Sequence, residues 1–223
     1  ADGGVAHPTS KYVVEGENIG SLAEAKKENE VFTGWQTLAG DPITSAYIPD
    51  NDMTIIAQWT NSYATFKPGS DVITSYKQLA GDTLSGTYPY LTADTNITSI
   101  VRSDNPPQEG TTTETVSIDG STPIIAWYDN GTINIYSEAN YLVLNENAGA
   151  MFNNLTNTTS IYTNYITSNT TEMSGMFTNT KADNLNLSSF DTSKVTNMTG
   201  MFSGTQIDNL NLSNFDTSNV TIS

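Results

Sequence analysis

The chain has 223 residues, of which 36% are apolar and 14% charged, and its 24 acids against 8 bases give a net charge of −16. The few bases are scattered, with no basic patch to hold a phosphate backbone or an anionic bilayer, which argues against both as partners. With no cysteine, disulfides, thiolate zinc sites and cysteine nucleophiles are excluded together.

The first elements lie within residues 1–60. Asp2-Gly3-Gly4 opens the chain, and the Ala-, Lys- and Glu-rich run Ser21–Asn29 predicts a short helix. Val31-Phe32-Thr33-Gly34-Trp35 and Thr54–Trp59 read as strands. Strand, helix, strand, strand is the order of a small α+β unit. The early Gly-Gly, the central F-x-G-W and the terminal A-x-W resemble the Listeria–Bacteroides repeat, also called the internalin B-repeat. That resemblance implies a β-grasp-like module serving as spacer or binding unit on bacterial surface proteins. Gln36 stands where that family usually carries an aromatic residue.

Residues 61–150 carry short β-like runs at Val72-Ile73, Ile97–Val101 and Thr113–Ile118, with an exposed loop at Pro106–Gly110. The clearest signal is Ile124–Tyr136, where two β-rich runs flank Asp129-Asn130-Gly131, a hairpin turn. Residues 61–119 are either a β-rich domain of their own or part of a cap. About 120–150 is expected to cover the first edge of the repeats that follow.

Those repeats occupy 151–223. Met-Phe recurs at 151–152, 176–177 and 201–202, a spacing of 25. In the same register Leu185-Asn186-Leu187 returns as Leu210-Asn211-Leu212, and Phe190-Asp191-Thr192-Ser193 as Phe215-Asp216-Thr217-Ser218. Alternation in Leu-Asn-Leu places both leucines on one side of a strand. Asp, Thr and Ser supply turn chemistry. Val195, Met198 and Phe202 follow at helix-like spacings. One such unit cannot bury its own apolar face, and a period of 25 lies in the leucine-rich range. The run NLNLSSFDTSKVTNMTGMF at 184–202 resembles the BspA-type leucine-rich repeat of bacterial surface proteins. The expected architecture is therefore α+β and β-rich: a β-grasp-like module, a β-rich middle and cap region, and a leucine-rich-type solenoid of period 25.

Catalytic equipment is sparse. His7 is the single histidine and reads as a surface residue. No serine sits in a G-x-S-x-G elbow and no phosphate-binding glycine loop occurs. Trp35 and Trp59 read as core of a small module rather than sugar platforms. Asp50-Asn51-Asp52 and Asp129-Asn130-Gly131 are oxygen-rich turns without the EF-hand's terminal Glu, so calcium is only a minor alternative to no cofactor. No apolar stretch approaches the ~20 residues of a membrane span.

The expected function is non-catalytic: adhesion, or interaction with a host or bacterial surface protein or glycan. The alternatives are a purely architectural stalk and a carbohydrate-binding appendage of a larger secreted enzyme. The expected place is the bacterial cell surface, with this chain a piece of something longer, anchored through another part. The candidate interaction face is Asn184, Asn186, Asn209 and Asn211, which stacked Leu-x-Leu strands would align either as an amide ladder or as a set of donors and acceptors for a ligand.

Overall fold

A computed structural model describes residues 5–6, 10–23, 25–26, 31–60, 62–84, 86, 88–207 and 209–221. The chain forms two compact units, Ala1–Ser62 and Tyr63–Ser223. His7 and the Asp2-Gly3-Gly4 opening lie outside the described residues.

In the first unit, β1 (Val5–Ala6) pairs antiparallel with β2 (Ala25–Lys26). A three-stranded antiparallel sheet follows, with β3 (Val31–Thr37) between β4 (Pro42–Ile43) and β5 (Ile55–Thr60). The β3–β4 turn is held by the Thr37 hydroxyl, which accepts the Ala39 and Asp41 N–H groups at 3.2 and 3.1 Å. A bulge between Phe32 and Gly34 breaks the β3–β5 register, and Gly34 takes a φ of 143°. Phe32 packs edge-on against Trp35 and Trp59, with ring centroids 5.3 and 5.8 Å apart, and Trp35 Nε1 donates to the Ala23 carbonyl at 2.9 Å. The two tryptophans are half-buried members of this cluster. The helix expected over Ser21–Asn29 is absent among its described residues, where Ala25 and Lys26 are strand residues paired with β1; residues 24 and 27–29 lie outside the described residues. Among the described residues of this unit there is no helix to cross the sheet, so the β-grasp expectation is also corrected.

The second unit begins with β6 (Tyr63–Thr65) and helix α1 (Gly69–Leu79). Val72-Ile73, expected as β, lies inside this helix. Burial of Val72, Ile73 and Tyr76 on one face outweighs the strand preference of the β-branched pair. The first helical residue has to be glycine, because a Cβ at Gly69 would collide with the Gly149 and Ala148 carbonyl oxygens. A single 3-10 turn (Pro89–Leu91) precedes β7 (Ser99–Arg102), β8 (Glu114–Thr115), β9 (Ile125–Asp129) and β10 (Thr132–Tyr136). β9 and β10 form the expected hairpin, with Asn130 and Gly131 at φ 44° and 89° as its turn requires. β11 (Tyr141–Val143) pairs parallel with β6, and β12 (Ser160–Ile161) completes a five-stranded sheet in the order β12-β7-β10-β9-β8. β13 (Asn184–Leu185) and β14 (Asn209–Leu210) form a parallel pair of their own. One buried apolar cluster runs from Ala64 to Met201.

A leucine-rich-type solenoid is not what forms. Residues 151–223 contribute two-residue strands to separate small sheets, and α1 is the one α-helix among the described residues. The Val195–Phe202 stretch is not helical: it runs through a parallel bridge at Asn197 into a turn over 199–202. The period of 25 survives as a register of isolated parallel bridges, such as Asn147↔Glu172↔Asn197, and as ring stacking of Phe152 on Phe177 and Phe177 on Phe202 at 5.3 and 5.7 Å. The physical reason is where the backbone groups find partners. Turn-rich chain, not extended strands, carries the backbone bonds between segments. Ala148, Ala150, Phe152 and Asn154 donate to the carbonyls of Glu172, Ser174, Met176 and Thr178, and Met173, Gly175, Phe177 and Asn179 repeat the pattern one segment on. Threonine hydroxyls add further bonds.

Candidate interaction face

The four candidate asparagines are brought together. β13 and β14 align Asn184 with Asn209 and Leu185 with Leu210. Asn184, Leu185, Asn186, Asn209, Leu210 and Asn211 line one shallow surface depression. All four amides are exposed, while Leu185 is buried and Leu210 half-buried.

The four do not act alike. Asn209 Nδ2 reaches Asn184 Oδ1 at 3.5 Å, the outer limit of a hydrogen bond. Asn186 and Asn211 instead fold back on their own chain. Asn186 Oδ1 accepts the Ser188 N–H at 3.2 Å and the Ser188 hydroxyl at 2.7 Å, and Asn211 Oδ1 accepts the Ser213 N–H at 3.0 Å. These are Asx turns. The expected amide ladder through Asn186 and Asn211 is therefore replaced by turn closure, which leaves their exposed amide groups as donors on the rim.

The face is held from behind by threonines. Thr163 Oγ1 donates to the Asn186 carbonyl at 2.7 Å. Thr167 and Thr192, both buried, donate to the carbonyls of Asp191 and Asp216 at 2.9 and 3.0 Å. The hydroxyl and N–H of Ser193 hold the Asp191 carboxyl below the usual carboxylate range, and those of Ser218 do the same for Asp216. Leu185, Leu187 and Phe190 are buried beneath the face.

Of the other candidates, Asp50, Asn51 and Asp52 are exposed, with a bend at Asp50 and Asn51, and Asp129-Asn130-Gly131 closes the β9–β10 hairpin. No cluster of three or more His, Asp or Glu side chains suited to a metal occurs among the described residues. Nor is any helix among them long and apolar enough to cross a membrane.

Sequence reasoning missed a second polar cluster at the end of α1. Lys77 is fully buried, and its Nζ donates to the carbonyls of Tyr90, Thr92 and Asn153 at 2.7, 2.6 and 2.9 Å. Burial lowers its pKa to about 8, against the opposing pull of Asp94 and Asp82. The signal was there once α1 is granted, since Lys77 lies one turn beyond the buried Ile73, on the helix's apolar face.

A family model described as "Mycoplasma protein of unknown function, DUF285" matches residues 146–223. No curated protein and no solved structure matches the chain.

Proposed function

We propose that this chain is a non-catalytic segment of a bacterial cell-surface protein, and that its 184–211 face contacts a protein or glycan partner. The observation that carries the reading is the amide-rimmed depression. Two half-sites of identical sequence, Asn-Leu-Asn, lie side by side in parallel register. Exposed amides around a part-buried leucine offer paired donors and acceptors beside an apolar floor, the mixture that interfaces and sugar sites use. The resemblance of 184–202 to BspA-type repeats supports display at the bacterial surface.

The test is a binding screen of the full chain, presented multivalently, against glycan arrays and extracellular-matrix proteins. Truncation at residue 151 is unsuitable as a control, because the apolar core runs unbroken through that point. The paired substitution Asn184→Ala and Asn209→Ala is the better one, since neither amide closes a turn. Saturable binding weakened by that pair supports the reading. Absence of binding by the folded, multivalent chain leaves the architectural role as the better account.

A further inference from the structure

The repeated segments bond to one another with a fixed polarity, N–H groups of one meeting carbonyls of the next. Gly175, Phe177 and Asn179 donate to the carbonyls of Thr199, Met201 and Ser203 at 2.9, 2.9 and 2.8 Å. The corresponding N–H groups one period on belong to Gly200, Phe202 and Gly204, and among the described residues none of them makes a hydrogen bond. The backbone conformation repeats, with φ of 58° at Gly175 and 61° at Gly200, 54° at Asn179 and 67° at Gly204. These three donors therefore point out of the molecule along the direction in which the earlier ones reach the next segment.

Side chains follow the same gradient. Leu187 is 1% exposed and its counterpart Leu212 is 38% exposed. Phe177, Phe190 and Val195 are buried, whereas Phe202, Phe215 and Val220 are half-buried. Thr167 and Thr192 each grip the backbone of an aspartate 24 residues on. Thr217 is their counterpart. It is exposed, and its hydroxyl makes no hydrogen bond among the described residues.

Three donors, an apolar strip and an unused clamp thus share one edge. An occupant has to bring carbonyls at every second residue and apolar side chains to cover Phe202, Leu212 and Phe215. A second copy cannot close the edge symmetrically, because two such edges set donor against donor, and a net charge of −16 opposes their approach. The equivalent faces are already covered twice in this molecule by the repeat itself, 148–154 by 172–178 and 173–179 by 197–203. We propose that the 200–217 edge docks a segment of the same repeat type from a separate chain, in the parallel register used inside the molecule, as unpaired backbone edges take up strands. In that register, guest carbonyls at the positions of Ser174, Met176 and Thr178 meet Gly200, Phe202 and Gly204, and a guest aspartate at the position of Asp191 meets Thr217. The edge works through backbone donors and needs none of the four amides of the 184–211 face.

The probe is a labelled synthetic peptide with the sequence of residues 172–196, titrated with the full chain and compared with a scrambled peptide. Saturable binding is expected, with amide hydrogen exchange slowed at Gly200, Phe202 and Gly204. Thr217→Val is expected to weaken binding about tenfold through loss of the clamp. Its Tm is expected to stay unchanged, because that hydroxyl holds nothing in the free chain. Binding no better than that of the scrambled peptide overturns the proposal. So does binding that leaves the three amides unprotected, or that is equally strong for Thr217→Val.

Discussion

Thr192 and Asp216 exchange two hydrogen bonds across a step of 24 residues. The Thr192 hydroxyl donates to the Asp216 carbonyl at 3.0 Å and accepts the Asp216 N–H at 2.8 Å. Thr167 and Asp191 make the same exchange at 2.9 and 2.8 Å. Thr192 of the Asp-Thr-Ser step, like Thr167 of the Ile-Thr-Ser step before it, is thus a buried clamp on the next segment, while Asp191 and Asp216 close their own turns by accepting the N–H of the serine two residues on.

Replacing Thr192 with Val keeps the shape and removes both bonds. It orphans a carbonyl and an N–H, a loss of about 1–3 kcal/mol. Thr192→Ser keeps the hydroxyl and is expected to lose less. Urea unfolding of the two variants measures the difference as a shift in midpoint.

Two columns of left-handed backbone recur with the period. Ala150, Gly175 and Gly200 have φ of 61°, 58° and 61°, and Asn154, Asn179 and Gly204 have 57°, 54° and 67°. A Cβ at Gly200 meets only Ser203 Cβ at 3.7 Å, so Gly200→Ala isolates the conformational cost of about 1–2 kcal/mol. A Cβ at Gly204 would also collide with Asn179 Oδ1. Gly204→Ala is therefore expected to lower the thermal midpoint further than Gly200→Ala.

Lys77→Met removes the donor shared by three carbonyls from separate parts of the chain. The expected loss is about 3 kcal/mol or more at neutral pH, read from urea midpoints. The pH dependence has a definite sign. The folded pKa is lowered to about 8 from an ordinary 10.5, so between those values the unfolded chain holds the proton that the folded chain has lost. The stability contributed by this group rises with pH through that window. The Met variant lacks the rise.

Local signals in the sequence carried the features that depend on neighbours in the chain. Asn130-Gly131 marked its hairpin because a two-residue turn needs positive φ there. Met-Phe at a spacing of 25 marked the ring stack of Phe152, Phe177 and Phe202. What failed depended on distant partners. Leu-Asn-Leu suggested a solenoid strand, but the strand stops after Leu185 because Thr163 and the Asx turn at Asn186 take over the backbone groups. Val72-Ile73 suggested β because β-branched residues favour strands, and only the burial of α1 against the core reverses that. Lys77 acquires its meaning only when folding brings the carbonyls of Tyr90, Thr92 and Asn153 to it from distant parts of the chain. Of the candidate face, the alignment of the amides was legible, but the diversion of Asn186 and Asn211 into turns was not.

The most direct test of the interaction face is the affinity of the full chain for whichever glycan or protein it captures, compared with that of the Asn184→Ala, Asn209→Ala double variant. The account predicts an affinity lower by about tenfold or more, the equivalent of ~1.4 kcal/mol, at an unchanged melting temperature. Equal affinity for the two chains would contradict it and place the contact elsewhere.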